Sequence, residues 1–483
     1  VTLQELTALI PDSRRLGNSN PKVTRADYDS RQVRPGSLFV ALVGQKSDGH
    51  RFLADAFSRG AVAAVVQAVP DEKFNRPLLV VPDTRRVLAI FARALANFPD
   101  QRLKLIGITG TNGKTSTAML LAQVLSQPGS PAGLISTVGI SLGNRRLPAE
   151  RTTPEAPDIC DLLNQMLQSG CRSAVMEVSS HALTQDRVYG LQFAAAAFTN
   201  LTQDHLDYHG DMEGYFSAKA RLFKDYNLGA AVINLDDPYG RRLAKMTRRP
   251  IVGYSLKDAS ADVYAADLDL KIDSINLTAR TPRGNVKIHS PLVGQFNAYN
   301  LLCALAVSES LGLPHGAFAA AASQFAGAPG RLEKFDLGGR WAYVDYAHTP
   351  DALAQALQGL RSLTTGPLHV LFGCGGNRDR AKRPLMAHAA EAIADKVYVT
   401  SDNPRDEDPA AIAAEIRAGF THPARAELIL DRREAIRAAL AELPRGGMLL
   451  IAGKGHEDYQ EIRGVKHPFD DRAEVRRYLA ERK

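Results

Sequence analysis

The chain has 483 residues, 45% hydrophobic and 23% charged, with 59 lysines and arginines against 52 aspartates and glutamates, a net charge of +7. That composition excludes a disordered, collagen-like or disulfide-scaffold chain and suffices for roughly two to four globular domains. The basic residues are spread out, with no basic block interleaved with aromatics, so the surplus reads as favouring small anionic ligands over nucleic acid. No apolar run approaches the roughly 18 residues of a membrane span, and no signal peptide is read. Cys160, Cys171, Cys303 and Cys374 show neither CxxC nor metal-ligand spacing and read as reduced core thiols of a cytoplasmic protein.

Residues 1–87 are expected to form a small α/β unit. LFVAL (38–42), AVAAVV (61–66) and PLLVV (77–81) read as buried strands, and HRFLADAFSRG (50–60) as a helix closed by Gly60. Asp29-Ser30-Arg31 and Gly44-Gln45-Lys46-Ser47-Asp48-Gly49 fit either plain polar turns or ligand loops.

A helix over 84–97 leads into a second unit, expected to span 88–331. Its organising stretch is LKLIGITGTNGKTSTAMLL (103–121). The first half is a β-branched strand and the second half suits a helix. Gly110, Thr111, Asn112, Gly113, Lys114, Thr115 and Ser116 lie at the junction. Glycines there let backbone N–H groups approach phosphates, Lys114 supplies positive charge, and the Thr115 hydroxyl can hold Mg²⁺. One departure stands out: Ile108 occupies the place of the first glycine of the usual phosphate-loop pattern.

Apolar strands recur at 133–137, 174–178, 194–200 and 230–236, separated by helical stretches. Such alternation predicts a mostly parallel sheet, with ligands beyond the carboxyl ends of its strands. Glu177, Ser179, Ser180 and His181 follow one strand there, and Thr199, Asn200, Asp204 and His205 the next. Glu177 and His205 are candidate Mg²⁺ ligands beside the phosphate loop. Residues 260–293 alternate apolar and polar and suggest a small antiparallel patch, followed by a helix over 297–311.

A third unit, expected over 332–483, repeats the strand–helix alternation from WAYVDYAH (341–348) to MLLIAGKG (448–455). The pattern is Rossmann-like. However, Gly373-Cys374-Gly375-Gly376-Asn377-Arg378 does not fit GxGxxG, which argues against a nicotinamide cofactor.

Seven of these segments together resemble a known motif series. They are GITGTNGKTST, MEVSSHALTQDRV (176–188), FTNLTQDHLDYHG (198–210), YFSAKARLF (215–223), GQFNAYN (294–300), GRLE (330–333) and VDYAHTPDAL (344–353). In this order they are similar to the motifs of the Mur ligases, ATP-dependent amide-forming ligases of peptidoglycan synthesis. DSR near residue 30, GGNRDRAKRP (375–384) and Asp402-Asn403-Pro404-Arg405 resemble the branch that extends UDP-N-acetylmuramoyl-L-alanyl-D-glutamate. The resemblance implies an N-terminal uridine-binding domain, a central P-loop ATPase domain and a C-terminal Rossmann-like domain that binds an amino acid, in a cytoplasmic monomer.

The resemblance also implies site residues. Lys114 and Mg²⁺ bridge the ATP phosphates, and a second Mg²⁺ sits near Glu177 and His205. Lys219, by itself a solvated helix lysine, corresponds to a lysine carried as its carbamate near the metal. Asn300, Arg331, Asp345 and His348 contact ATP across the domain boundary. Tyr28, Ser30, Gln45, Lys46, Ser47, Arg151, Thr152, Thr153, Ser179, Gln185 and Arg187 correspond to positions on the UDP-linked substrate, with Arg151, Gln45 and Lys46 departing from the family pattern. Arg378, Asp402, Asn403, Pro404, Arg405, Gly453 and Glu457 correspond to contacts with the incoming amino acid. Arg405 implies meso-diaminopimelate, whose far carboxylate a guanidinium can pair bidentately, whereas L-lysine offers only an ammonium there. An L-lysine-adding relative, a folylpolyglutamate synthetase-like ligase and a P-loop nucleotide switch are the alternatives.

Overall fold

Three apolar, β-branched runs near the N-terminus are each too short for a helix and build the middle of a sheet. In the computed structural model, which describes residues 1–44, 47–72 and 74–481, Ser37–Val40, Ala63–Val66 and Leu78–Val80 lie parallel. Arg25–Asp27 adds a parallel edge beside Ser37–Val40, and Arg14–Leu16 an antiparallel edge beside Leu78–Val80. Helix Thr84–Leu95 begins on Asp83, whose carboxylate accepts from the Arg85 and Arg86 N–H groups. It packs Val87, Leu88 and Phe91 on this sheet, so it crosses the expected boundary at 87. Ala89 and Ala92 of the same helix meet Ala156 and Cys160 of helix Ala156–Gln168. Small residues on both sides let the first two units approach closely.

The strand Lys104–Thr109 lies inside an eleven-stranded sheet, between Ser173–Glu177 and Ala195–Phe198. Parallel pairing runs from Gly133–Ser136 through these three to Ala231–Asn234, Ile251–Ser255 and the start of Val263–Leu270. The alternating segment continues this sheet: Val263–Leu270, Ile275–Thr281 and Gly284–Ser290 pair antiparallel. Their apolar face joins the core under helices Lys114–Leu125 and Gln295–Ser310. Leu120 and Leu121 are buried there, each worth about 1.5–3 kcal/mol relative to exposure. Register fixes the functional edge. Glu177 lies opposite Ile108, and Phe198 opposite Thr109, so the phosphate loop and the two polar segments leave the sheet together.

The third sheet has the order Glu333–Asp336, Trp341–Asp345, Met448–Ala452, Leu368–Phe372, Lys396–Val399, Ala426–Leu428, parallel except for the first pair. A separate hairpin, Tyr459–Ile462 with Val465–Pro468, stands beside it. All four cysteines are buried, and none forms a disulfide. Among the described residues no helix is long and apolar enough to cross a membrane.

Candidate active site

The phosphate loop closes only because two of its positions lack a side chain. Gly110 has φ +147°, and a Cβ there would lie 1.9 Å from Thr199 Oγ1. Gly113 has φ +84°, and its Cβ would lie 2.3 Å from Asn300 Oδ1. The neighbouring strand end laces the loop in place. Thr199 Oγ1 donates to Asn112 O at 2.6 Å, and the Asn112 and Thr111 N–H groups donate to Asn200 Oδ1 and O, both at 2.9 Å. The helix then starts at Lys114. The Lys114 ammonium lies back on the loop, donating to Gly110 O at 3.0 Å and Thr111 O at 2.6 Å. Burial lowers its pKa, partly opposed by Glu177.

Behind the loop, Glu177 is fully buried at its strand end. Its Oε1 accepts from Thr137 N at 3.0 Å and its Oε2 from Thr137 Oγ1 at 3.3 Å. His205 sits at φ +53° beside Asp204. Although 44% of its side chain meets solvent in the open cleft, lost hydration pushes its pKa down to about 4. Lys219 is not the solvated lysine that its helix position suggests. It is 1% exposed, donates to Gly110 O at 2.7 Å and lies 4.6 Å from the Tyr215 ring centre. Burial, reinforced by the Lys114 charge, pushes its pKa well below the usual lysine value. Among the described residues no three His, Cys, Asp or Glu side chains converge as a metal cage. A magnesium ion bound by one or two protein donors plus phosphate and water fits such a donor set.

These residues line a cavity of about 660 Å³ whose far wall belongs to the third sheet. Thr111 to Ser116, Thr152, Glu177, Ser179, His205, Lys219, Asn300, Arg331, Asp345 and His348 all border it. Arg331 stacks 4.5 Å from the Tyr346 ring centre, and its buried Nε has no hydrogen-bond partner among the described residues. That is an orphaned cationic donor suited to an anion. Asp345 borders the cavity, but its carboxylate is occupied by the Leu332 and Ala347 N–H groups, each at 2.8 Å. His348 Nδ1 lies 2.9 Å from Tyr346 O.

The positions expected to hold the UDP-linked substrate continue from this cavity in a line of contacts. Thr153 Oγ1 donates to Glu177 O at 2.9 Å, and Arg187 donates to Thr153 O at 2.8 Å and Gln185 Oε1 at 2.7 Å. Arg151 and Arg187 both pair with Glu155, at 2.7 and 3.0 Å. Tyr28 donates to Asp158 at 3.0 Å, Ser30 is buried and Ser47 is exposed. Tyr28, Ser30, Ser47, Arg151, Thr153, Gln185 and Arg187 do not border the cavity. Gln45 and Lys46 lie outside the described residues.

The positions expected to hold the amino acid gather at the carboxyl ends of Leu368–Phe372, Lys396–Val399 and Met448–Ala452. Gly453 has φ +113° and faces Asp402 Oδ2, while its N–H donates to Asp345 O at 3.1 Å, joining this group to the cavity wall. Asn403 Nδ2 donates to Glu457 Oε2 at 2.8 Å. Buried Lys454 donates to Asn403 Oδ1 at 3.0 Å and Glu457 Oε2 at 3.2 Å, and among the described residues Glu457 Oε1 has no hydrogen-bond partner. Pro404 is buried and Arg378 is exposed. Arg405, at φ +51°, pairs with Glu461 at 2.9 Å. Sequence reading missed Thr137, Lys454, Glu461 and Tyr346. Of these, only Lys454 carried a signal, a lysine between the glycines of a strand-end turn.

Family models for the Mur ligase family catalytic domain, the Mur ligase middle domain and the Mur ligase glutamate ligase domain match residues 22–95, 108–308 and 330–455. The chain is 45% identical over 459 residues to a UDP-N-acetylmuramoyl-L-alanyl-D-glutamate--2,6-diaminopimelate ligase of Ectopseudomonas mendocina, covering 94% of each. It is 44% identical over 492 residues to the protein of that name from Geobacillus thermodenitrificans, covering 100% of each. A solved structure of a protein so named matches with TM-score 0.72 and 37% identity, over 100% of this chain and 99% of that one. A Mycobacterium tuberculosis folylpolyglutamate synthase shares the fold at TM-score 0.62 and 20% identity, over 76% of this chain and 91% of that one. With the phosphate loop, the buried carboxylate and lysine behind it and these matches along its length, the chain belongs to the Mur ligase family.

Proposed function

We propose that this chain uses ATP to join meso-diaminopimelate to UDP-N-acetylmuramoyl-L-alanyl-D-glutamate, in the cytoplasm and as a monomer. The reading rests on the names carried by its full-length relatives. The single structural observation that carries it is Arg405, presented beside Asn403 and Glu457 one loop away from the phosphate cavity. Three domains are proposed to share the work, the first ending after helix Thr84–Leu95 rather than at 87.

A carboxylate is a poor electrophile, so its oxygen must first become a leaving group. Phosphoryl transfer from ATP gives an acyl phosphate; the amine attacks its carbonyl, a tetrahedral intermediate forms and phosphate leaves. The protein's part is positioning and charge neutralisation. Lys114, the N–H groups at the start of helix Lys114–Leu125 and the unpartnered Nε of Arg331 offer donors to the phosphates. Asn300 and His348 border the nucleotide side. Thr115, Glu177 and His205 would hold Mg²⁺, which would neutralise phosphate charge. Lys219, buried and with its pKa lowered, is suited to carry a carbamate, because a lowered pKa favours the uncharged amine, which is the form that adds CO₂. Thr152, Ser179 and Arg187 would orient the dipeptide, Glu457 Oε1 would accept an ammonium, and Arg405 would take the far carboxylate.

The test is phosphate release on mixing ATP, the UDP-dipeptide and diaminopimelate, omitting each in turn. Release should require all three, and release that ignores either acceptor refutes the reading. Replacing diaminopimelate by L-lysine should abolish most turnover. Arg405→Ala should raise the KM for diaminopimelate about 30-fold or more, for a lost charge-assisted pair of about 2–3 kcal/mol, with the KM for ATP unmoved.

A further inference from the structure

Arg405 carries five N–H donors, and the protein itself engages only part of them. Nε donates to Glu461 Oε2 at 2.9 Å and Nη1 donates to Gly376 O at 2.9 Å. Among the described residues, the terminal edge of the guanidinium therefore keeps free N–H groups on both Nη atoms. Glu461 belongs to the hairpin Tyr459–Ile462 and Val465–Pro468, outside the parallel sheet. The backbone docks that hairpin on the substrate loop. Arg405 N donates to Glu461 O at 3.0 Å, Arg463 N to Arg405 O at 2.8 Å and Glu461 N to Asn403 Oδ1 at 3.0 Å.

We propose that Glu461 is a positioning residue for recognition of the amino-acid substrate. It holds the Nε edge of Arg405, fixing the guanidinium plane so that the terminal Nη edge meets the substrate's distal carboxylate. The proposal rests on the reading that Arg405 takes that carboxylate. A carboxylate competing with substrate would occupy the terminal edge; the Glu461 carboxylate bonds the guanidinium at Nε alone. The side chains of Arg405 and Glu461 are 18% and 26% exposed, so both stay partly hydrated and the pair acts through orientation more than through raw attraction. An arginine freed from Glu461 samples many rotamers, and ordering it again on binding weakens the complex.

Glu461→Leu suits the hairpin and keeps its backbone pairing. It should raise the KM for diaminopimelate about five- to tenfold, with kcat and the KM values for ATP and UDP-dipeptide within about twofold. Glu461→Gln keeps an acceptor oxygen for Nε and should stay within about threefold of the parent. In an Arg405→Ala background, Glu461→Leu should add nothing. An unchanged or lowered KM in Glu461→Leu, or its full effect in the Arg405→Ala background, overturns the proposal. If the parent protein consumes no diaminopimelate, the proposed function has failed. The Glu461 assignment is then judged in the free protein by the ¹⁵N-resolved Arg405 Nε–H resonance. Slow solvent exchange lost in Glu461→Leu supports the assignment, and identical exchange in both refutes it.

Discussion

Gly113→Ala tests whether the phosphate loop is shaped by the space its glycines leave. At φ +84° an L-residue costs about 1–2 kcal/mol in backbone strain. The added Cβ would lie 2.3 Å from Asn300 Oδ1, so Asn300 must retreat by roughly 1 Å to reach an ordinary C···O contact. That movement breaks the 3.0 Å bond from Asn300 Nδ2 to Asn297 Oδ1, about 1 kcal/mol more. The total of about 2–3 kcal/mol leaves the protein folded but should lower the central domain's Tm by about 5–10 °C. Gly129→Ala is the control, because φ is +77° but nothing lies within 4 Å of its Cβ. It carries the backbone cost alone, so its Tm should fall about 2–4 °C less. Only Gly113→Ala pushes a methyl group and Asn300 into the cavity wall, so only it should lower kcat/KM for ATP-dependent phosphate release. Equal Tm losses and equal ATP kinetics in the two variants would refute the argument.

Two further outcomes follow from the buried ionisable groups. Lys219→Ala should lose most ligase activity, and excess short carboxylate should partly restore it; near-normal activity, or no rescue, contradicts the carbamate role. Lost hydration holds His205, His209 and His456 near pKa 4, whereas a free histidine titrates near 6.5. Below about pH 6.5 the unfolded chain therefore takes up protons that the folded chain refuses, and stability falls with pH down to about 4. Most carboxylates remain ionised above about pH 5, so the urea midpoint should be lower at pH 5 than at pH 7 because of the histidines. A flat or rising midpoint over that window would count against it.

Strands buried on both faces were legible because parallel sheets write them as continuous apolar runs, as in Ile106–Ile108 and Leu449–Ile451. Edge strands were not. Arg14–Leu16 and Arg25–Asp27 are set by pairing to a neighbour, and their charged residues carry no burial pattern. The phosphate loop was readable from residue types alone, because Gly, Lys and Thr at that junction have few other uses. Lys219 was not, since a lysine on a helix is ordinarily solvated and only the packing of Tyr215 and Gly110 encloses it. Its significance came from resemblance to a family. Glu461 was invisible for another reason. It sits in a polar hairpin whose position is decided by backbone bonds to Arg405, a contact 56 residues away in sequence.

The loops proposed to bind the amino acid raise the question of how two segments so far apart in sequence keep one geometry. A buried ion pair behind them supplies the answer. Arg432 and Asp471 are both essentially solvent-free, and the guanidinium grips the carboxylate through Nε at 2.8 Å and Nη2 at 2.7 Å. Its remaining donors reach Ser401 O at 3.2 Å and Ala452 O at 2.9 Å. These are the residues immediately before Asp402 and Gly453. A buried pair of this kind adds little net stability, because desolvating two charges costs several kcal/mol per ion and consumes most of the attraction. An apolar pair of similar volume would satisfy packing equally well but could not bond both carbonyls. The value of Arg432 therefore lies in direction: it ties two strand ends to one planar group, so that Asn403, Arg405 and Glu457 are presented as a single rigid surface. The same logic governs the other wall, where Asp345 spends its carboxylate on the N–H groups of Leu332 and Ala347 and fixes the segment that carries Arg331. Charge buried behind each loop fixes its shape, and the side chains in front are the ones proposed to meet the substrates.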